Sequence, residues 1–177
     1  MAATTVFYGA SVTSRTQAQA KGIVQRAAYI SSFLEKYGYQ CLTDVVLDAE
    51  LFSENAIKSS EIPDKYLKLC SPELLDSLTD LRIANSDTLK NDLACHLWGR
   101  DVMKSAGFCI WDLTLPSTGA GFEIASALAM NKKCFCFSDN TPVSSTISGC
   151  PSPLLRIASY GDNIGQLLLD FFGDESS

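Results

Sequence analysis

Two uninterrupted apolar runs, Phe108-Cys109-Ile110-Trp111 and Cys134-Phe135-Cys136-Phe137, constrain this chain more than any other feature. A strand with one wet face alternates apolar and polar residues, whereas a strand that is apolar throughout must be covered on both faces. Between the runs, Thr118 to Met130 has the length and pattern of a helix, so the pair reads as parallel strands joined by a helical crossover. The same order recurs along the chain. Thr4 to Tyr8 is β-prone and leaves through Gly9. Ile23, Ala27, Ile30 and Leu34 recur at helical spacing from Gln17 to Tyr37, with Gly38 as the expected C-cap. Tyr39 to Thr43 reads as a second strand, Thr88 to Ser105 as a helix ended by Gly107, Leu154 to Ala158 as a last strand and Asn163 to Phe172 as a last helix. This alternation predicts one α/β domain over residues 1–177, built on a parallel sheet of about five strands with helices on both faces. The stretch from Ala49 to Asp87, with Pro63 and Pro72, interrupts the pattern. It reads as an irregular helical insertion at about 52–90, either a lid or interface arm or plain surface packing.

Charge and cysteine content narrow the function classes. The formal charge of −6 and the absence of a basic run argue against a nucleic-acid polymer as partner, since phosphate contacts need Lys and Arg. A small anion remains open, because backbone N–H groups hold one without net positive charge. No apolar stretch approaches the ~20 residues of a membrane span, and the N-terminus does not read as a signal peptide. Seven cysteines with no C-x-x-C pair fit reduced thiols in a cytoplasmic core. Cys134 and Cys136 would share one face of a strand with Asp139 nearby, a pairing that suits a metal but lacks further ligands close in sequence.

Ligands of parallel α/β sheets bind beyond the carboxyl ends of the strands. That places Gly9 to Arg15, Asp112 to Gly121 and the loop after the 134–137 strand at the candidate site. The most informative stretch is Asp112-Leu-Thr-Leu-Pro-Ser117-Thr-Gly119-Ala-Gly121-Phe-Glu123. A buried strand ends in a carboxylate, a Pro-Ser turn follows, and two glycines open a helix. Glycines let a backbone approach a ligand closely, and a helix start offers free N–H groups to a phosphate or a polar sugar. A carboxylate such as Glu123 near the positive helix end is expected in its charged form, able to attack an anomeric carbon or stabilise a cationic one. Each residue also has a plainer reading: Glu123 as an acid complementing the helix dipole, Asp112 as a loop-orienting or capping group, Ser117 as an N-cap.

The run from Ala106 to Ser138 resembles the 2′-deoxynucleoside 5′-phosphate N-hydrolases and the wider nucleoside 2-deoxyribosyltransferase family. The likeness rests on the Pro-Ser-x-Gly-x-Gly-x-Glu core ending at Glu123, then Ala125, Ala127 and Ala-Met-Asn-Lys-Lys133. Phe7-Tyr8-Gly9-Ala10-Ser11, Leu42-Thr43-Asp44 and Ala49-Glu50-Leu51 add weaker matches, and together they cover about two-thirds of the chain. The resemblance implies a flavodoxin-like doubly wound fold, a homodimer or higher homo-oligomer, a small-molecule nucleoside or nucleotide as ligand, and neither metal nor cofactor. It makes Glu123 the residue that attacks C1′ of the deoxyribose and releases the base. Ser117 matches the serine at the 5′ end, Gly9 and its neighbours match the loop that holds the phosphate, and Tyr8 lies near a position where aromatics pack on the nucleoside.

Two departures bear on the chemistry. The family commonly carries an aspartate where this chain has Gly99. Asp101 stands two residues on, roughly 200° around a helix, and Asp92 lies about 10 Å back along the axis. Asp101 is the candidate catalytic partner of Glu123 if the helix is irregular there. The single histidine, His96, is a further acid/base candidate or a plain surface residue. The phosphate loop reads Gly9-Ala10-Ser11-Val12-Thr13-Ser14-Arg15, so Ser11 and Arg15 would hold the phosphate after a small shift.

Overall fold

The structure, a computed structural model, describes residues 4–11, 17–43, 62–79, 86–161 and 163–173. Five strands, β1 (Thr4–Ala10), β2 (Tyr39–Cys41), β3 (Phe108–Asp112), β4 (Lys133–Ser138) and β5 (Leu155–Ser159), form one sheet. Their order is β2-β1-β3-β4-β5 and every pairing is parallel. The described helices are α1 (Gln17–Lys36), α2 (Asp64–Leu69), α3 (Pro72–Thr79), α4 (Ser86–Ser105), α5 (Thr118–Ala129), α6 (Ser145–Ser148) and α7 (Ile164–Gly173). This is the flavodoxin-like doubly wound α/β architecture that the two apolar runs demand. Every residue of β3 is buried, and β4 is buried from Cys134 onward.

Strand alternation divides the core in two. Val6, Tyr8, Phe108, Ile110, Phe135 and Phe137 pack against Ala27, Ile30 and Leu34 of α1 and Leu168, Phe171 and Phe172 of α7. Phe7, Cys109, Trp111, Cys134 and Cys136 pack on the opposite face against Met103 of α4 and Ala120, Ile124 and Ala127 of α5. A third cluster joins Ile62, Tyr66 and Cys70 to Ala94 on α4. In the 52–90 stretch the described residues form the short helices α2 and α3, and α4 begins inside it at Ser86.

Local chemistry sets several boundaries. Gly38 adopts φ +79 just beyond α1, a conformation that costs glycine little and ends the helix. The predicted second strand stops two residues early because a side chain takes over the ladder. Thr43 Oγ1 accepts the Tyr8 N–H (2.9 Å) and donates to the Tyr8 carbonyl (2.7 Å). The 138–153 segment, expected as a loop, contains the single turn α6. Lys132 does not cap its own helix. Its Nζ donates to the carbonyls of Lys104 (2.6 Å) and Ala106 (2.7 Å), at the end of α4, while Asn131 at φ 56 leaves α5.

Candidate active site

Parallel register brings the informative segments to one end of the sheet. Gly9 pairs with Trp111 and Ala10 with Asp112, while Asp112 pairs with Phe137. The strands end together, and the chain from Leu113 to Ser117 crosses their carboxyl ends into α5. Ser117 is the N-cap of α5: its Oγ accepts the Ala120 N–H at 3.2 Å, satisfying one of the helix's free donors. Ser11 is buried, and its hydroxyl lies 3.5 Å from the Pro116 carbonyl, so the loops after β1 and β3 meet.

Glu123 projects from the second turn of α5 onto the sheet face carrying Phe7 and Trp111. Trp111 Nε1–H donates to its Oε2 at 3.0 Å. The indole is fully buried and lies against the Phe7 ring, centroids 5.6 Å apart. Gly9 completes the set by having no side chain. A Cβ there would lie 2.5 Å from both Cδ1 and Nε1 of Trp111 and 3.2 Å from Glu123 Oε2. Burial raises the Glu123 carboxyl above its ordinary range, and the Trp111 hydrogen bond opposes that rise in part. Burial thus works against the charge that the position near the helix start favours. Two thiols feel the Glu123 charge. Cys95 on α4 is raised first by burial, and Cys109 is pushed up to about 12 by the same cause.

Tyr8 and Asp112 occupy the other face. Tyr8 is fully buried beneath α1 and α7, and its hydroxyl has no hydrogen-bond partner among the described residues. Burial holds its phenol well above the ordinary value, and the nearby Asp112 charge adds to the rise. Asp112 Oδ2 accepts from Arg26 Nε at 2.7 Å, and Oδ1 accepts the Thr114 N–H at 2.9 Å. A carboxylate only 1 % exposed thus finds a counter-charge on α1 and ties down the first turn of the 113–117 loop. The loop-orienting reading of Asp112 fits this geometry, and Tyr8 stands across the sheet from Glu123.

Asp101 faces elsewhere. It is exposed on α4, accepts from Tyr66 Oη at 3.2 Å, and lines a cleft of about 420 Å³ with Leu42, Lys65, Trp98 and Lys104. Glu123 makes no hydrogen bond to a second carboxylate among the described residues. At Gly99 a Cβ would enter open space. His96 is exposed beside the Phe122 ring, centroids 5.7 Å apart. Arg15 lies outside the described residues, as do Asp44 and Ala49-Glu50-Leu51.

A second cleft, about 570 Å³, opens beyond β3 and β4. Leu113, Leu115, Pro116, Ser117, Gly121, Val143 and Ile147 are among its walls. Its lining combines apolar side chains with hydroxyls, as small-molecule sites commonly do. A Cβ at Gly121 would meet no atom within 4 Å, and one at Gly119 would meet only Ser117 Oγ, at 3.7 Å. Among the described residues no group of three or more His, Cys, Asp or Glu is placed to hold a metal, and no helix is long and apolar enough to cross a membrane. Cys134 and Cys136 share the α4/α5 face, both fully buried.

Sequence reasoning missed Trp111 and Arg26 as site residues. One signal was present: a buried indole carries an N–H that needs an acceptor, so a tryptophan closing a buried strand points to a polar partner. Arg26 had none, because one arginine on a helix surface resembles any other.

No family model matches the chain. A protein of Methanosarcina mazei named "Putative 2'-deoxynucleoside 5'-phosphate N-hydrolase 1" is 31% identical over 81 residues, 43% of this chain and 50% of that protein. The chain thus spans about half the length of the curated relative it matches.

Proposed function

We propose that this chain hydrolyses the N-glycosidic bond of a 2′-deoxynucleoside 5′-monophosphate with Glu123 as the nucleophile. One observation carries the reading. A partly buried carboxylate stands at the ligand-binding end of the central strands, one oxygen held by Trp111 and the other without a partner among the described residues. The name of the Methanosarcina mazei relative points to the same chemistry.

In the proposed step, Glu123 Oε1 bonds to C1′ as the C1′–N bond breaks. Its electron pair leaves with the base, which takes a proton from solvent. Water then attacks C1′ of the glycosyl ester and gives up a proton to solvent, and Glu123 departs as the carboxylate, leaving 2-deoxyribose 5-phosphate. Ser117, Gly119 and Gly121 at the start of α5 and the Gly9–Ser11 loop, with Arg15, would hold the 5′ end. Asp112, anchored by Arg26, shapes the connecting loop. Tyr8 supports that strand end from the opposite face, and Asp101 takes no part in this step. Base exchange, in which a second base replaces water, uses the same ester. A non-catalytic nucleotide binder is the remaining reading, favoured by the missing carboxylate at Gly99 and by Asp101 pointing to a different cleft.

Incubation with the deoxynucleoside monophosphates, with free base measured by chromatography, separates the three. Base release abolished by Glu123→Ala supports hydrolysis. Turnover only on addition of a second base supports exchange, and binding without turnover supports the non-catalytic reading. Unchanged turnover in Glu123→Ala removes Glu123 from the mechanism.

A further inference from the structure

The Trp111–Glu123 contact joins three elements that are far apart in sequence. Gly9 on β1 and Trp111 on β3 are register partners, so their substituents emerge side by side on one face of the sheet. Because one of the pair is glycine, the indole lies across its neighbour's backbone toward α5, where Nε1 meets Oε2. The ring is fully buried with Phe7 against it, so it has little freedom to leave. An indole N–H donates and never accepts. It therefore selects one carboxylate oxygen as acceptor and leaves the other for a reaction partner. A buried carboxylate needs such a donor, because otherwise it resists ionisation and loses nucleophilicity.

We propose that Trp111 is a positioning residue for Glu123, holding Oε2 so that Oε1 is presented to the anomeric carbon. The inference rests on the proposed nucleophilic role of Glu123. The titratable groups facing Glu123 are Cys95 on α4 and Cys109 on β3, both thiols raised by burial, with Asp92 and His96 near them on α4. None of these hydrogen-bonds to the carboxylate, so Trp111 is the group that sets its orientation.

Two measurements test this. The chain has two tryptophans, so Trp98→Phe leaves Trp111 as the sole indole fluorophore. In that background its emission should titrate with a midpoint above the ordinary carboxylate range, and Glu123→Gln should abolish the transition. A flat profile, or one that Glu123→Gln leaves in place, overturns the proposal without reference to activity. In the otherwise native chain, Trp111→Phe keeps an aromatic ring but removes the N–H. The acid limb of kcat/KM should then move to higher pH, and kcat near neutrality should fall about 10- to 100-fold, the usual range for losing a hydrogen bond to a charged group. KM should change less than about twofold, since the fully buried indole offers no surface to a ligand. Trp111→His, which restores a ring N–H, should recover part of the loss. An unmoved acid limb with unchanged kcat overturns the proposal. If Trp111→Phe does not fold, the fluorescence titration decides. If the native chain releases no base, the hydrolytic reading fails, whereas failure of this inference alone leaves native base release intact.

Discussion

Gly9→Ala probes the packing on which the site depends. The added Cβ would stand 2.5 Å from two atoms of the Trp111 indole and 3.2 Å from Glu123 Oε2. Carbon contacts are comfortable at about 3.5–4.0 Å, so the indole would have to retreat by roughly 1 Å. It has nowhere to go, being fully buried against Phe7. Overpacking of this kind costs about 1–3 kcal/mol. At roughly 2–4 °C per kcal/mol for a domain of this size, the melting temperature should fall by about 4–8 °C for a cost near 2 kcal/mol. Gly9 is not among the residues with positive φ, so without the clash alanine would stabilise the chain by about 0.4–1 kcal/mol through the unfolded state. The sign of the change therefore decides. Base release should drop further than stability does, toward 100-fold, because a displacement near ~1 Å at the nucleophile can cost that much. Thermal melts and initial rates are measured together, and both are repeated in Trp111→Leu, where the added methyl has room. A higher melting temperature in Gly9→Ala, or an equal loss in the Trp111→Leu background, would refute the reasoning.

Three further outcomes follow from the same contacts. Glu123 titrates above its unfolded value of about 4.5, so its burial costs nothing when both states are protonated, and stability is lost as pH rises through the folded value. Glu123→Gln should therefore melt higher than the native chain at pH 7, with the gap closing below pH 4.5; an equal gap at both pH values would contradict this. Arg26→Ala leaves the Asp112 carboxylate buried without its counter-charge and should cost about 3 kcal/mol in denaturant unfolding, with weaker base release as the 113–117 loop loosens. Cys109 and Cys134, pushed up to about 12 by burial, and Cys136, raised further, should resist thiol labelling at pH 8 until the chain unfolds; labelling of the folded protein at free-thiol rates would show those strands to be open.

What the sequence determined on its own is what depends on neighbours along the chain. Periodicity places the helices, and the two apolar runs dictate strands covered on both faces. Glycines and prolines mark the ends, and Pro-Ser-x-Gly-x-Gly-x-Glu marks a helix start at the mouth of a parallel sheet. The placement of Glu123, Ser117 and Gly9 near the carboxyl ends of the strands was legible for that reason. Tertiary structure decided the rest, because it concerns faces and distances between residues remote in sequence. Tyr8 and Gly9 are adjacent, yet alternation sends Tyr8 beneath α1 and α7 and leaves Gly9 under the Trp111 indole. Asp112 ends the same strand as Trp111 but turns to Arg26, while Trp111 turns to Glu123. The ionisation of Glu123 is the clearest case. Its position near a helix start favours charge, but only the fold reveals that its carboxylate is buried, and that burial raises it.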